Sequence, residues 1–284
     1  MSAPAAAVAT RVELERLLRD DVPHGDLTSE ALGIGDTPAI MTFRARNPMS
    51  VALVADAAEI IDIAGGDVVC HARSGEVLAR NAPILTARGP ADALLRGWKV
   101  AQTLIEIWSG VATSARAIVD AARSVSPEIA VACTRKNVPG TKSFAVAAVK
   151  AGGGVMHRLG LSETILVFPE HLGLAGGAPL ATLVRRLRRN APEKKLVIEV
   201  KSVEEGVAAA AAGFDVIQAE KFSPPGIAAL VARLPSAVRP VVAAAGGINA
   251  ANAADYARAG ADVLVTSAPY AAPPQDVEVE IAPV

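Results

Sequence analysis

The chain has 284 residues, of which 51% are hydrophobic and 20% are charged, so it is long enough for one large domain or two modest ones with a sizeable core. Its formal net charge of -1 excludes a global electrostatic field that would recruit nucleic acid or an anionic membrane, and any anion binding must be local. Aromatic residues make up only 3% of the chain, which argues against a base-stacking surface.

The first half of the chain predicts a small α+β module, because short alternating apolar runs surround helical patterns. The predicted elements are a helix at 11–19, alternating runs at 39–46 and 75–89, a helix near 54–64, and two further helices at 91–108 and 114–125. The tail "DVEVEIAPV" alternates like a strand. Because chain ends are often close together, we expect this tail to pair back onto the module.

The second half repeats a strand–helix pattern, which predicts βα units around a parallel sheet. Apolar runs of strand length lie at 128–133, 163–168, 195–200, 214–220, 239–245 and 261–268, and helical segments at 141–151, 179–190, 203–212, 225–234 and 250–259. Gly213 and Gly260 stand where helix C-caps belong. About six or seven such units favour a sheet that closes at least partly into a barrel. An open doubly wound sheet is the alternative.

Four basic residues lie in two successive units of the predicted strand–helix pattern. Arg135 and Lys136 end the strand of the first, and His157 and Arg158 follow the next helix behind three glycines. In α/β barrels the chemistry gathers at the carboxyl ends of the strands, and guanidinium groups bind carboxylates and phosphates bidentately. One dibasic pair is equally compatible with a solvated strand end. Two pairs in consecutive units favour an anion site.

Two carboxylates end neighbouring strands, Glu199 and Glu220. Such a pair suits Mg²⁺, which prefers one or two carboxylates together with phosphate oxygens of a substrate. Salt bridges to Lys201 or Lys221 are the alternative interpretation.

The segment "AAAGGIN" places Gly246 and Gly247 between a strand and a helix. Backbone N–H groups of such a turn can approach a phosphate, and the helix dipole adds to the attraction. Plain turn geometry explains a glycine pair equally well, but a late position in a barrel favours phosphate binding.

The remaining candidates are weaker. His24 and His71 are predicted in loops or at the surface, His171 lies just past a strand end, and Cys133 is predicted as buried packing. Two cysteines without a CxxC pair, no signal-peptide pattern and no apolar run of roughly 18 residues fit a soluble protein of the reducing cytoplasm. We find no nucleophile elbow, no P-loop and no zinc-type spacing.

Several motifs together resemble the quinolinate phosphoribosyltransferase family (nicotinate-nucleotide pyrophosphorylase, carboxylating). They are "GDLT", "WSGVAT", "TRKNVPGTK", "GGGVMHRLGL", "IEV" and "AGGI", in the family's order, from about residue 14 to 275. The most specific part is TRK followed by HR about 20 residues later. Within the family, "WKVAQTLIEIWSGVAT", "HRLGLSETILVF" and "VLVTSAPY" are similar to the ModD branch, which is often linked to molybdate-transport genes.

The resemblance implies an α/β fold in which an N-terminal α+β sandwich domain, residues 1–112 with the C-terminal strand 275–284, precedes an open α/β barrel catalytic domain, residues 113–274. It also implies a cytoplasmic homodimer, or a higher oligomer built from dimers, in which one subunit helps to complete its neighbour's site. The implied reaction transfers ribose 5-phosphate from phosphoribosyl pyrophosphate, with Mg²⁺, to quinolinate, and CO₂ is then lost. No nucleic acid and no membrane are expected as partners.

The resemblance assigns a role to each candidate residue. The catalytic group is Lys136, Glu199 and Glu220, with both glutamates as metal ligands; the acceptor-binding group is Lys99, Arg135, His157, Arg158, Phe168 and Lys201; and the phosphate-binding group is Ala245, Gly246, Gly247, Ser267 and Ala268. Lys99 stands where the family usually has an arginine donated across the dimer.

Five positions depart from the family pattern: Phe168 stands for a lysine, Glu220 for an aspartate, Lys221 for an asparagine, Ala245 for a serine and Ser267 for a glycine. The loss of a cation at Phe168 questions quinolinate as acceptor more than the class of reaction. A protein that binds an oxyanion such as molybdate, or a phosphorylated metabolite, without turnover is one alternative. A barrel enzyme for another sugar phosphate is the other.

Overall fold

The structure is a computed structural model that describes residues 6–235 and 239–284. The chain divides into two compact units. The first contains the described residues up to Arg116 together with Val138–Gly153 and Pro269–Val284, and the second contains Ala117–Asn137 and Gly154–Ala268. The segment 138–153 therefore belongs to the first unit, whereas the sequence groups it with the barrel. The predicted domain limits, 1–112 with 275–284 and 113–274, stay a prediction.

The first unit is built on a four-stranded antiparallel sheet with the strand order β13–β1–β5–β3. Its elements are α1 (Arg11–Asp21), α2 (Leu27–Leu32), β1 (Pro38–Ala45), β2 (Met49–Ser50), α3 (Val54–Ala64), β3 (Asp67–Cys70), β4 (Val77–Leu78), β5 (Pro83–Pro90), α5 (Lys142–Ala151) and β13 (Val277–Pro283), with most of α4 (Ala91–Arg123). Strand β13 pairs antiparallel with β1 along its whole length, so the alternating tail completes this sheet.

Helix α4 is continuous, and the prediction of two helices at 91–108 and 114–125 is wrong. The two predicted helices left residues 109–113 between them, and Ser109 and Gly110 in that stretch instead serve packing. Ser109 Oγ accepts a hydrogen bond from the Ala52 N–H at 2.9 Å. A side chain at position 110 would run into the Pro273 carbonyl, so glycine permits the close approach of that segment while the helix continues.

The second unit is a seven-stranded parallel sheet with the order β7–β6–β12–β11–β10–β9–β8. Its elements are β6 (Ala130–Cys133), β7 (Val155–Met156), β8 (Ile165–Val167), α6 (Pro169–Leu174), α7 (Leu180–Asn190), β9 (Leu196–Val200), α8 (Val203–Ala212), β10 (Val216–Glu220), α9 (Pro224–Arg233), β11 (Val241–Ala245), α10 (Ala253–Arg258) and β12 (Val263–Thr266), and a 3-10 helix begins at Ala268. Among the described residues the edge strands β7 and β8 do not pair with each other, so the curled sheet is an open barrel. The predicted fold class is confirmed.

Alternation along these strands sends successive side chains to opposite faces of the sheet. Ile198 of β9, Ile217 of β10 and Val242 of β11 pack with the helices in the main core of this unit. Residues that alternate with these along the strands point to the opposite face, and among them Ala243 forms a small separate cluster with Val265. The inner face therefore receives the polar residues of β9 and β10. No helix in the described part of the chain is both long and apolar enough to cross a membrane.

Candidate active site

A pocket of about 470 Å³ lies at the carboxyl ends of the second unit's strands. It is lined by the ends of β6 to β12 and the loops that follow them, as the barrel architecture requires. Three groups of residues form its wall: basic side chains that follow β6 and β7, carboxylates on β9 and β10, and the backbone of a glycine turn after β11. All three groups belong to the same compact unit.

The cationic wall comprises Arg135, Lys136, His157 and Arg158. Main-chain hydrogen bonds carry the β-pairing just past the strand ends, since the His157 N–H donates to the Cys133 carbonyl at 2.9 Å. This pairing places the loop after β6 beside the residues that follow β7. Burial, then the charges of Arg158 and Arg135, lower the pKa of His157, whereas Gln218 opposes that fall. Burial and the charge of Arg135 also lower the pKa of Arg158. The cluster therefore favours an anion.

Phe168, the residue directly after β8, forms an apolar part of the pocket wall. Its ring lies 5.8 Å from the Arg158 guanidinium carbon and stacks on His171 with ring centroids 5.8 Å apart. The Phe168 N–H donates to His171 Nδ1 at 3.0 Å. His171 is not on the pocket wall. It therefore supports Phe168 from behind, which fixes where the apolar surface stands.

The acidic wall comprises Glu199 on β9 and Glu220 on β10. Gln218 of β10 lies beside Glu199, two residues before Glu220. Burial, then the charge of Glu220, raise the pKa of Glu199. Two carboxylates that repel each other in a partly buried site favour a cation between them. No group of three or more His, Cys, Asp and Glu side chains within residues 6–235 and 239–284 is placed to hold a metal. The pair thus fits Mg²⁺ when substrate oxygens supply further ligands.

The third wall is the turn after β11. Gly246 and Gly247 have φ values of 92° and 77°, in the left-handed region where glycine carries no penalty. A Cβ on Gly246 would lie 3.0 Å from the Lys221 backbone nitrogen, so no larger residue fits there without movement. Lys221 itself has φ 57°, and its N–H donates to the Ala245 carbonyl at 2.7 Å. Ser267, after β12, completes this end of the pocket.

Most predicted site residues line this pocket, but three do not. Lys201 is exposed just past β9, although its charge lowers the pKa of Glu199. Ala268 uses its N–H on Thr266 Oγ1, 3.0 Å away. Lys99 is an exposed residue of the first unit, where its Nζ lies 2.9 Å from Gln102 Oε1 and 4.5 Å from the Trp98 ring centre. Lys201 and Lys221 both follow strand ends and are the candidates to replace the cation that the family has at position 168; Lys221 lines the pocket and Lys201 does not.

The weaker candidates are placed as follows. Burial raises the pKa of the Cys133 thiol to about 12, so Cys133 is a packing residue and not a nucleophile. His24 is exposed, and His71 shares a 2.7 Å hydrogen bond with Thr86 in the first unit.

Five residues of the wall were not predicted from the sequence: Thr134, Leu166, Gln218, Val265 and Thr266. A signal existed for Gln218. It stands two positions before Glu220 on β10, so strand alternation places both side chains on the same face of the sheet. A polar residue inside an apolar strand is itself unusual unless it faces a site.

Two family models cover almost the whole chain. The C-terminal domain of quinolinate phosphoribosyl transferase matches residues 111–280, and the N-terminal domain of the same family matches residues 26–109.

Curated relatives agree with these models. A Rhodobacter capsulatus protein named "Putative pyrophosphorylase ModD" is 49% identical over 221 residues, which cover 78% of this chain and 85% of the relative. A Mycobacterium leprae nicotinate-nucleotide pyrophosphorylase (carboxylating) is 33% identical over 204 residues, 69% of this chain and 70% of the relative.

Solved structures share the fold. The nicotinate-nucleotide pyrophosphorylase from Francisella tularensis superposes with a TM-score of 0.87 at 21% identity, over 99% of this chain and 100% of that one. A NadC deletion mutant superposes with a TM-score of 0.89 at 23% identity over the full length of both chains.

Proposed function

Because the chain belongs to the quinolinate phosphoribosyltransferase family, we propose that it transfers ribose 5-phosphate from phosphoribosyl pyrophosphate to a small anionic acceptor. Pyrophosphate is released, and CO₂ follows if the acceptor is quinolinate. The observation that carries the proposal is that a cationic wall, a pair of glutamates and a left-handed glycine turn line one pocket.

Each wall fits one part of such a reaction. Arg135, Lys136 and Arg158 bind the acidic acceptor and orient its ring nitrogen. Gly246 and Gly247 offer backbone N–H groups to the 5′-phosphate. The bond between the anomeric carbon and the pyrophosphate oxygen breaks as the bond to the acceptor nitrogen forms, so positive charge develops on the ribose. Glu199 and Glu220 stabilise that charge.

We also propose Mg²⁺ as the cofactor, held by Glu199 and Glu220. Bound there, it would neutralise the negative charge of the departing pyrophosphate. Burial, and then the charge of Glu220, raise the pKa of Glu199, which supports a cation at this place.

The acceptor is proposed to be quinolinate or a related acid that tolerates an apolar surface. Phe168 stands where the family has a lysine, so one carboxylate of quinolinate would lack its partner unless Lys221 supplies a charge. A buried carboxylate without a partner is strongly disfavoured.

We further propose that the active form is a homodimer, or a larger assembly of dimers, in which Lys99 of one subunit serves the site of another. The family resemblance and the exposed position of Lys99 support this arrangement.

A second candidate is an oxyanion-binding regulatory protein without turnover, linked to molybdate uptake. Phe168, Ala245 and Lys221 favour it, because each alters a residue that the family uses on its substrates. The same cationic wall would then hold the oxyanion.

Calorimetry separates the two functions. The protein is titrated with phosphoribosyl pyrophosphate, with and without Mg²⁺, and separately with molybdate. Mg²⁺-dependent binding of phosphoribosyl pyrophosphate is expected, and it should weaken in Glu199→Gln and in Glu220→Gln. Binding of molybdate alone would favour the second candidate.

A screen then identifies the acceptor. Pyridine carboxylates and related acids are incubated with phosphoribosyl pyrophosphate and Mg²⁺, and mass spectrometry follows pyrophosphate and the ribotide. Absence of a ribotide from every acid, despite tight binding of phosphoribosyl pyrophosphate, would contradict transfer to this class of acceptor.

A further inference from the structure

Gln218 is a buried amide at the centre of the pocket wall, and the proposed reaction leaves it without a role. Its side chain is only 5% exposed. It pairs in register with Glu199 of the neighbouring strand, so both side chains stand side by side on the inner face of the sheet. Gln218 Nε2 donates to Glu199 Oε2 at 3.1 Å.

This hydrogen bond fixes the orientation of the amide. A carboxylate only accepts hydrogen bonds, so the amide nitrogen, and not the oxygen, must face Glu199. Gln218 Oε1 is therefore turned away from the acidic wall. Gln218 lines the pocket together with the cationic wall, so Oε1 lies on the side of the amide away from Glu199.

Gln218 Oε1 has no hydrogen-bond partner among the residues that the structure describes. The His157 ring lies close to Gln218, and a side-chain interaction with Gln218 raises the pKa of His157, but this contact does not meet the geometry of a hydrogen bond to Oε1. A buried carbonyl oxygen is rarely left unpaired, because its lost hydration is not replaced. An orphan acceptor that lines a pocket is typical of a group that pairs with a ligand.

We infer that Gln218 determines acceptor specificity: its Oε1 accepts a hydrogen bond from an N–H or O–H group on the acceptor, while its Nε2 holds Glu199. This inference rests on the proposed function. It defines the acceptor class as a small heteroaromatic acid that carries a hydrogen-bond donor, binds its carboxylate at the cationic wall and faces Phe168 with an apolar edge. Fully ionised quinolinate has no such donor.

Matched ligand pairs test the inference without turnover. Pyridine-3-carboxylates with an amino group at ring position 2, 5 or 6 are compared with the corresponding methyl compounds, which have nearly the same shape but no donor. Binding to the full-length protein is measured by calorimetry. At least one amino compound is expected to bind about tenfold or more tightly than its methyl partner, the effect of one hydrogen bond to a buried acceptor.

Variants then assign the preference to Gln218. Gln218→Met keeps the size of the side chain and removes both polar groups, so the ratio of amino to methyl affinity should fall to about one. Gln275→Met, the same substitution at a glutamine that does not line the pocket, is the matched control and should keep the ratio of the parent protein. If Gln218→Met does not fold, a crystal structure of the parent with the tightest amino compound must place the donor nitrogen within about 3.2 Å of Gln218 Oε1.

The inference is overturned if no pair shows the preference, if the preference survives in Gln218→Met, or if the bound donor lies elsewhere. A variant that loses affinity for phosphoribosyl pyrophosphate with an unchanged ratio would make Gln218 only a support for Glu199, and would also overturn it. These outcomes concern the acceptor alone. Failure of the proposed function is detected separately, as absent binding of phosphoribosyl pyrophosphate.

Discussion

Arg158 is a buried arginine of the pocket wall that has no carboxylate partner within the described residues. Its side chain is 6% exposed, and none of the ion pairs in the described part of the chain includes it. Among residues 6–235 and 239–284 its guanidinium donates one hydrogen bond, to the Thr164 carbonyl at 3.5 Å, the limit of such a contact. Buried guanidinium groups are normally paired, because their desolvation is costly. The residue is therefore arranged for an anion that enters the pocket.

Arg158→Ala and Arg135→Ala should each weaken acceptor binding while the fold persists. Losing one charge-assisted, bidentate contact costs about 2–3 kcal/mol, or roughly 30-fold or more in affinity. Calorimetry measures the affinity, and a melting curve measures the fold. Arg233→Ala removes an exposed cation that pairs with Glu204 and is the control. Acceptor affinity equal to that of the control would reject the role of either arginine.

Phe168→Lys should raise kcat/KM for quinolinate by roughly tenfold, about 1.4 kcal/mol of transition-state stabilisation, because it returns a partner for the second carboxylate. The parent protein should turn over quinolinate weakly. Steady-state kinetics on both proteins checks this, and Phe168→Leu is the control that changes the shape without adding charge. Efficient turnover by the parent, or a loss of activity in Phe168→Lys, would mean that the aromatic ring belongs to the acceptor site.

His157 should give acceptor binding a distinctive pH dependence. Its pKa is lowered from 6.5 by burial and by neighbouring cations, so the ring is neutral at pH 7 and gains its proton only at lower pH. Each proton gained adds positive charge to the wall. Affinity for an anionic acceptor should therefore rise as pH falls below about 6.5. Calorimetry between pH 5 and 8 should show a flatter profile for His157→Asn, and identical profiles would exclude His157.

At the scale of elements, the same connection between a helix and the next strand occurs twice in the barrel: a left-handed glycine followed two residues later by an aspartate. Gly213 and Gly260 end α8 and the helix-like segment after α10 with φ values of 94° and 93°. Two residues later, Asp215 accepts the Leu196 N–H at 2.7 Å, and Asp262 accepts the Val242 N–H at 2.8 Å. Each carboxylate thus satisfies a backbone group at the start of the neighbouring strand. Each also holds an arginine, Arg188 or Arg239.

Asp215→Ala and Asp262→Ala should each destabilise the protein by about 1–3 kcal/mol, because a strand N–H loses its partner together with an ion pair. The two losses should add, since the residues lie on different strand pairs. Chemical denaturation measures the free energy of unfolding. Asp255→Ala, which removes only an exposed ion pair with Arg258, should change it by less than about 0.5 kcal/mol. A similar effect at all three positions would refute the capping role.

At the scale of the whole molecule, the proposed site residues fall into both compact units. The pocket wall belongs to the second unit, and Lys99 belongs to the first. In the proposed assembly two chains share a site, and a closed twofold arrangement would create two equivalent shared sites.

Mixed oligomers test the shared site. Lys99→Ala and Arg158→Ala chains should each be inactive alone with the acceptor that the screen identifies. When they are unfolded together and refolded, half of the dimers combine one chain of each kind, and each such dimer restores one of two sites. About a quarter of the parent activity is expected. No recovery, with mixed dimers verified by mass spectrometry, would place Lys99 outside the site.

The sequence by itself determined the fold class and much of the pocket wall. Alternating apolar runs and helical segments predicted the parallel barrel, and the carboxyl ends of parallel strands must meet at one edge. Arg135, His157, Glu199 and Gly246 could therefore be expected near one another before any coordinates. Their catalytic and binding roles stay predictions.

Tertiary packing decided the rest, because it depends on residues distant in sequence. The Pro273 carbonyl explains why Gly110 lies inside one long helix and does not end it. Lys221, whose left-handed backbone donates to the Ala245 carbonyl, lines the pocket, whereas Lys201, whose N–H donates to Glu205, does not, although both follow strand ends. Register between β9 and β10 sets Gln218 beside Glu199 and leaves its carbonyl oxygen unpaired. Local patterns fix which face a side chain takes, whereas its partner is chosen only when neighbouring strands meet.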